Sequence, residues 1–219
     1  MRPPAGQRRI GRKIAGFLLV ALAAGAAYAF IPRQADLSAF DPVAMARAET
    51  LMWRHYYDKR YVPLFLELYG AARDERNFSP WDSLRIAVFA AGAARTFQPS
   101  TSRAGADAAL PQLRDYFRVL ARGVKEPVDI EQAARTELDW WQARREAVKP
   151  EQYGLLIARV STLLYGIDNE DLRKSGVLRA QAMEYRDARN NKMTEADWSA
   201  IDEQLRVSYG LLKSALGKR

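Results

Sequence analysis

The chain of 219 residues contains no cysteine, and that absence removes several chemistries at once. Disulfides, thiol nucleophiles, zinc–thiolate sites, iron–sulfur clusters and c-type haem attachment all require it. Histidine is almost as scarce, with His55 standing alone. A di-iron bundle needs Glu-x-x-His on each of two helices, and zincin and zinc-deaminase signatures need histidine at fixed spacing. None of these patterns occurs, so no metal and no cofactor is expected. A Ser–His couple would have to use His55, which lies within a helical pattern rather than on a positioned loop. No Gly-x-Ser-x-Gly elbow and no glycine-rich phosphate loop is present. Nor does any run alternate apolar and polar residues for long enough to demand a strand.

Acidic residues are missing from positions 1–33, which carry Arg2, Arg8, Arg9, Arg12, Lys13 and Arg33. Removing those six charges from the net +8 leaves only +2 for the remainder. Nucleic-acid binding needs a basic face on the folded domain, and a near-neutral balance does not supply one. Nucleic acid is therefore not an expected partner.

What the sequence does have is an uncharged run of 18 residues at 14–31, "IAGFLLVALAAGAAYAFI". As a helix it would reach about 27 Å at roughly 1.5 Å per residue, close to the thickness of a bilayer core. The reading is a single transmembrane signal anchor. Residues 1–13 form a basic tail held in the cytoplasm by its positive charge, residues 32–40 a linker, and 41–219 an exported domain. A cleaved signal peptide is the alternative, since Ala27-Tyr28-Ala29 fits the small-x-small cleavage pattern; the domain would then be soluble, periplasmic or secreted. Ala21, Gly25 and Ala29 form a small-residue ridge through which two spans could pair as a homodimer. The abundance of alanine and arginine suits a bacterial envelope protein.

Beyond residue 40 the pattern predicts an all-α bundle of about seven to eight helices. Asp41-Pro42 and Ser79-Pro80 each combine an N-cap with proline at the first helical position. A helix from Asp41 should run to about Arg60, and Pro63 should break or kink its continuation. Residues 98–105 read as a polar loop. Asp129 caps the next helix, Pro150 opens another, and Gly166 should end it. In that helix Leu155, Leu156, Val160, Leu163 and Leu164 look fully buried. Asn169 or Asp168 starts a polar helix to about Arg189, and Thr194 with Asp197 resembles a capping box before the last helix.

Two stretches carry the candidate chemistry. Glu49, Trp53, Tyr56 and Arg60 recur at helical spacing around His55, and Glu137, Trp141 and Arg144 repeat the order acid, aromatic, base. An aromatic plate between a carboxylate and a guanidinium could form a polar cleft for a glycan or peptide. Such a cleft predicts that Glu49 and Glu137 face a shared cavity and that one has a raised pKa. Packing-level ion pairs within a bundle would explain the same residues. The helix with Arg179, Met183 and Arg186 on one face reads as a solvated, charge-stitched surface. The expected function is a membrane-anchored interaction or scaffold protein of the envelope rather than an enzyme, with another envelope protein as its partner. An envelope enzyme or glycan- and peptide-binding domain using the cleft is the alternative.

Overall fold

A computed structural model describes the backbone of residues 5–31 and 33–218, and side chains from Ile14 onward except at 32, 191 and 219. The basic residues of the expected tail therefore lie outside the described side chains. Among the described residues there is no strand, and the chain is helical throughout.

Helix α1 (Ala5–Phe30) comes first. Among the described residues no helix is long and apolar enough to cross a membrane. The side chains of α1 are described only from Ile14 to Phe30, which is 17 residues. The expected 18-residue span at 14–31 thus has no support from the described residues. What the structure does give α1 is exposure: Phe17, Leu19, Val20 and Leu22 are each about 70% open.

The remaining helices are α2 (Pro42–Tyr57), α3 (Tyr61–Arg73), α4 (Pro80–Phe97), the single turn α5 (Arg103–Ala106), α6 (Leu110–Leu120), α7 (Ile130–Arg145), α8 (Pro150–Tyr165), α9 (Glu170–Arg189) and α10 (Glu195–Gly217). Side-chain caps start α2, α4, α7, α9 and α10 where the sequence places them. Asp41 accepts from the Ala44 N–H at 2.8 Å, Asp129 from Gln132 at 2.9 Å and Asn169 from Leu172 at 3.0 Å. Thr194 and Asp197 form a reciprocal capping box. Gly166 closes α8 at φ +67°, a left-handed conformation that costs glycine little.

Three local expectations are corrected. Pro63 breaks nothing: α2 has already ended at Tyr57, Lys59 turns the chain at φ 57°, and Pro63 falls in the first turn of α3. Proline is tolerated there because the early N–H groups of a helix have no intrahelical partner. The polar segment 98–105 is not all loop, since Ser102 caps the short α5 by accepting from Gly105. Finally, Leu155 is 49% exposed, and Leu156, Leu163 and Leu164 are only half-buried. Helix α8 is apolar around most of its girth, but Tyr153, Gly154, Ile157, Ala158 and Val160 take the inward positions.

Packing follows chain order. Each of α2, α3, α4, α6, α7, α8, α9 and α10 lies against the next, and α10 returns to α2, closing a ring. Short connections between antiparallel neighbours favour such sequential packing. A large core cluster from Leu37 to Leu216 fills most of the interior. A second, built on Ala46, Ala182, Trp198, Ile201 and Leu205, seals the corner between α2, α9 and α10.

Candidate functional site

Inside the ring lies a cavity of about 380 Å³ to which all eight ring helices contribute. That volume falls within the usual range for small-molecule sites. Helix α2 supplies Met45, Glu49, Met52, Trp53 and Tyr56, residues three or four apart that share one face. Helix α7 supplies Glu137 and Trp141, one turn apart.

Glu49 is 4% exposed and fully engaged. Its Oε1 accepts from Arg179 Nε at 2.7 Å and also from Arg179 Nη2, while its Oε2 accepts from the Tyr209 hydroxyl at 2.7 Å. Burial opposes the charge of Arg179, but Glu49 and Tyr209 outweigh it and hold the guanidinium pKa above its ordinary value. Burial, with Glu49 beside it, raises the Tyr209 phenol. Tyr116, also in the cavity wall, is pushed up to about 12 by burial, so both phenols are neutral at physiological pH. Tyr116, Glu137, Arg179 and Tyr209 lie deep in the ring yet keep part of their surface open, because they line a space wide enough for water.

Glu137 differs from Glu49. Its Oε1 accepts from the Trp141 indole N–H at 3.0 Å, and no cation forms an ion pair with it among the described residues. Burial pushes its carboxyl above the ordinary carboxylate range; the charge of Arg179 works against the rise and that of Glu49 adds to it. The native state therefore holds this proton more tightly than the unfolded chain does. Between the ordinary and the raised pKa, unfolding releases a proton and stability falls as pH rises; below the ordinary value both states are protonated and the penalty vanishes. Glu137→Gln is expected to remove that decline. The check is the thermal midpoint of both proteins from about pH 4 to about pH 8, across the carboxylate range. Midpoints that run parallel at every pH would contradict it.

The structure thus brings Glu49, Trp53, Tyr56, Glu137 and Trp141 to a shared wall. It does not bring the other three there. His55 is 8% exposed with its Nδ1 buried and unpartnered, outside the cavity lining. Arg60 is an exposed residue at the N-cap of α3. Arg144 reaches across to α2 and α9, donating to the Tyr57 hydroxyl at 2.6 Å and pairing with Asp187.

The cations of the cavity are instead Arg179 and Arg76. Arg179 belongs to the helix expected to be a solvated face. The overlooked signal was the set of small and soft residues around it, Ser175, Gly176, Ala180 and Met183, which are all buried. Arg76 carried no periodic signal, since it sits in the turn between α3 and α4. Among the described residues no cluster of three or more metal-ligating side chains occurs. Comparisons of this chain with protein-family models, with characterised proteins and with solved structures find no match.

Proposed function

We propose that this chain is a membrane-anchored binding module, tethered by α1, whose helical ring holds a small ligand. The central cavity carries the reading: it has the size of a ligand site, apolar and aromatic walls, and a few converging polar groups. A pure scaffold would need only its outer surface and would gain stability from a filled interior. Hydrolysis by a carboxylate pair fits less well, because both Glu49 oxygens are already committed to Arg179 and Tyr209.

Support for the tether comes from α1 itself. Its apolar side chains point away from the core, and an exposed apolar surface of that extent marks an interaction site, here a bilayer. Among the described residues the helix meets the ring near its end, where Phe30 packs on Trp81 at 5.2 Å between ring centroids and the Tyr28 hydroxyl accepts from Arg73 at 3.4 Å. Outward apolar residues continue onto the ring at Val62 and Leu66 of α3 and at Val88 of α4. An exposed tryptophan at such a junction suits the membrane interface. The basic residues before the run favour an orientation with the N-terminal side in the cytoplasm and the ring outside it.

Fractionation of the full-length protein tests the tether, and ligand-observed NMR on the protein in lipid nanodiscs tests the cavity. The chain should stay with membranes through an alkaline wash. Leu22→Arg, which puts a charge at mid-run worth about 3 kcal/mol of insertion, should release part of it. Full-length protein recovered as a soluble species would sink the tether, and a chain shortened to begin near Phe30 would show a removed signal peptide. Ala91→Phe, which fills the cavity from α4, should abolish saturable binding of small acyl and aryl compounds. Binding indifferent to that substitution would remove the cavity from the argument.

A further inference from the structure

We propose that the cavity takes a small amphipathic carboxylate, its anionic head at Arg76 and its apolar chain along the inner faces of α3 and α4. This rests on the binding reading above and adds the ligand's chemistry.

The first observation is an uncompensated cation. Of the two guanidinium groups in the lining, Arg179 is neutralised by Glu49, whereas Arg76 has no carboxylate and no hydrogen-bond acceptor among the described residues. Its Nε is buried and unpartnered, and its guanidinium lies 5.7 Å from the Phe40 ring centroid. Lys213 lies 5.0 Å from the centroid of the same ring and donates to the Ser38 carbonyl, and its charge acts on Asp36. Among the described residues the Arg76 charge in the cavity wall is thus left without an ion-pair partner. A partly buried cation without a counter-ion is costly, and a ligand anion would supply what the protein does not.

The second observation is the neutrality of the neighbours. The Tyr116 and Tyr209 phenols, which feel the charge of Arg76, are hydrogen-bonding groups without charge at neutral pH. The other acid in the lining, Glu137, has its carboxyl pKa raised by burial. One free guanidinium beside the neutral Tyr116 phenol, with the Tyr209 hydroxyl already donating to Glu49, matches a monoanionic carboxylate better than a doubly charged phosphate.

The third is the apolar remainder. Leu64 and Leu68 of α3, with Ala90, Ala91 and Ala94 of α4, give a wall of aliphatic surface without a polar side chain. At about 30 Å³ per water, 380 Å³ holds about a dozen waters, or a chain of comparable size.

The experiment uses full-length protein in lipid nanodiscs, empty nanodiscs as the blank, and decanoate labelled with ¹³C at its carboxyl carbon. Decanol, decylamine and decyl phosphate are the comparison ligands. Decanoate should bind saturably with a shifted carboxyl resonance, and Arg76→Gln should weaken it about tenfold or more while leaving decanol unchanged. Ala91→Phe should abolish both. If decanol or decylamine binds better than decanoate and Ala91→Phe still abolishes binding, the carboxylate inference fails and the cavity reading stands. If decyl phosphate binds more tightly and depends equally on Arg76, the head group is a phosphate and the inference fails. If no ligand binds in a cavity-dependent way, both fail.

Discussion

Gly176→Ala should destabilise the ring by about 3 kcal/mol, a large value for adding a single methyl group. A Cβ at Gly176 would lie 2.3 Å from the Gly154 carbonyl oxygen and 2.7 Å from the Ala158 nitrogen, both backbone atoms that no side-chain rotation can move. The reciprocal position is as tight, since a Cβ at Gly154 would meet the Val177 Cα at 2.6 Å. Helices α8 and α9 therefore cross on facing pairs of small residues, Gly154 with Ala158 and Gly176 with Ala180, and Tyr153 fastens the crossing by donating to the Ala180 carbonyl at 2.7 Å. Alanine would gain up to about 1 kcal/mol of helix propensity at either site, but separating two backbones outweighs that gain. Gly210 supplies the control. It too lies within a helix, yet a Cβ there meets nothing within 4 Å, so Gly210→Ala should be neutral or stabilising by a few tenths to about 1 kcal/mol. Thermal unfolding of the full chain in nanodiscs, followed by circular dichroism, should show a fall of roughly 10 °C for Gly176→Ala and none for Gly210→Ala. Equal midpoints for the two variants would mean that α8 and α9 are not in contact as described.

How much of this was legible in the sequence depends on the range of the physics involved. The caps at Asp41, Ser79, Asp129, Asn169 and Thr194 and the stop at Gly166 are local devices, and a local pattern reveals them. Pro63 misled because proline marks either a break or a first turn, and the choice was made four residues earlier by the turn at Lys59. Glu49 and Glu137 stood out as acids at helical spacing with tryptophans, and both do reach the cavity. The basic partner of Glu49 could not be read, because the pairing joins α2 to α9 across 130 residues of chain. Arg144, which seemed to complete the α7 triplet, points instead at Asp187 and Tyr57, while Arg179, in a helix with weak amphipathicity, turns inward. The Gly154–Gly176 contact was equally hidden, since neither glycine ends a helix or forms a turn.

Glu49→Ala should cost about 3 kcal/mol, the lower end of the range for breaking a buried ion pair, because the Arg179 side chain keeps 30% of its surface open toward the cavity. The loss combines an uncompensated guanidinium with a Tyr209 hydroxyl left without its acceptor. Removing both charges should be milder: Glu49→Met with Arg179→Met replaces the pair by apolar chains of similar volume, a change often neutral in other buried pairs. The double-mutant cycle should accordingly show that the second substitution recovers stability lost to the first. If the costs simply add, the pair contributes independently at each end and the central network is not coupled. Glu49→Gln removes the anion and one of the two acceptor oxygens while its amide oxygen can still accept from Tyr209, and it should fall between wild type and Glu49→Ala. The same variant divides structure from binding. With Glu49 gone, Arg179 joins Arg76 as a free cation in one cavity, so carboxylate binding should tighten while the fold weakens. A variant damaged only by misfolding would lose both together, and opposite movements of affinity and stability are what the charge arrangement requires.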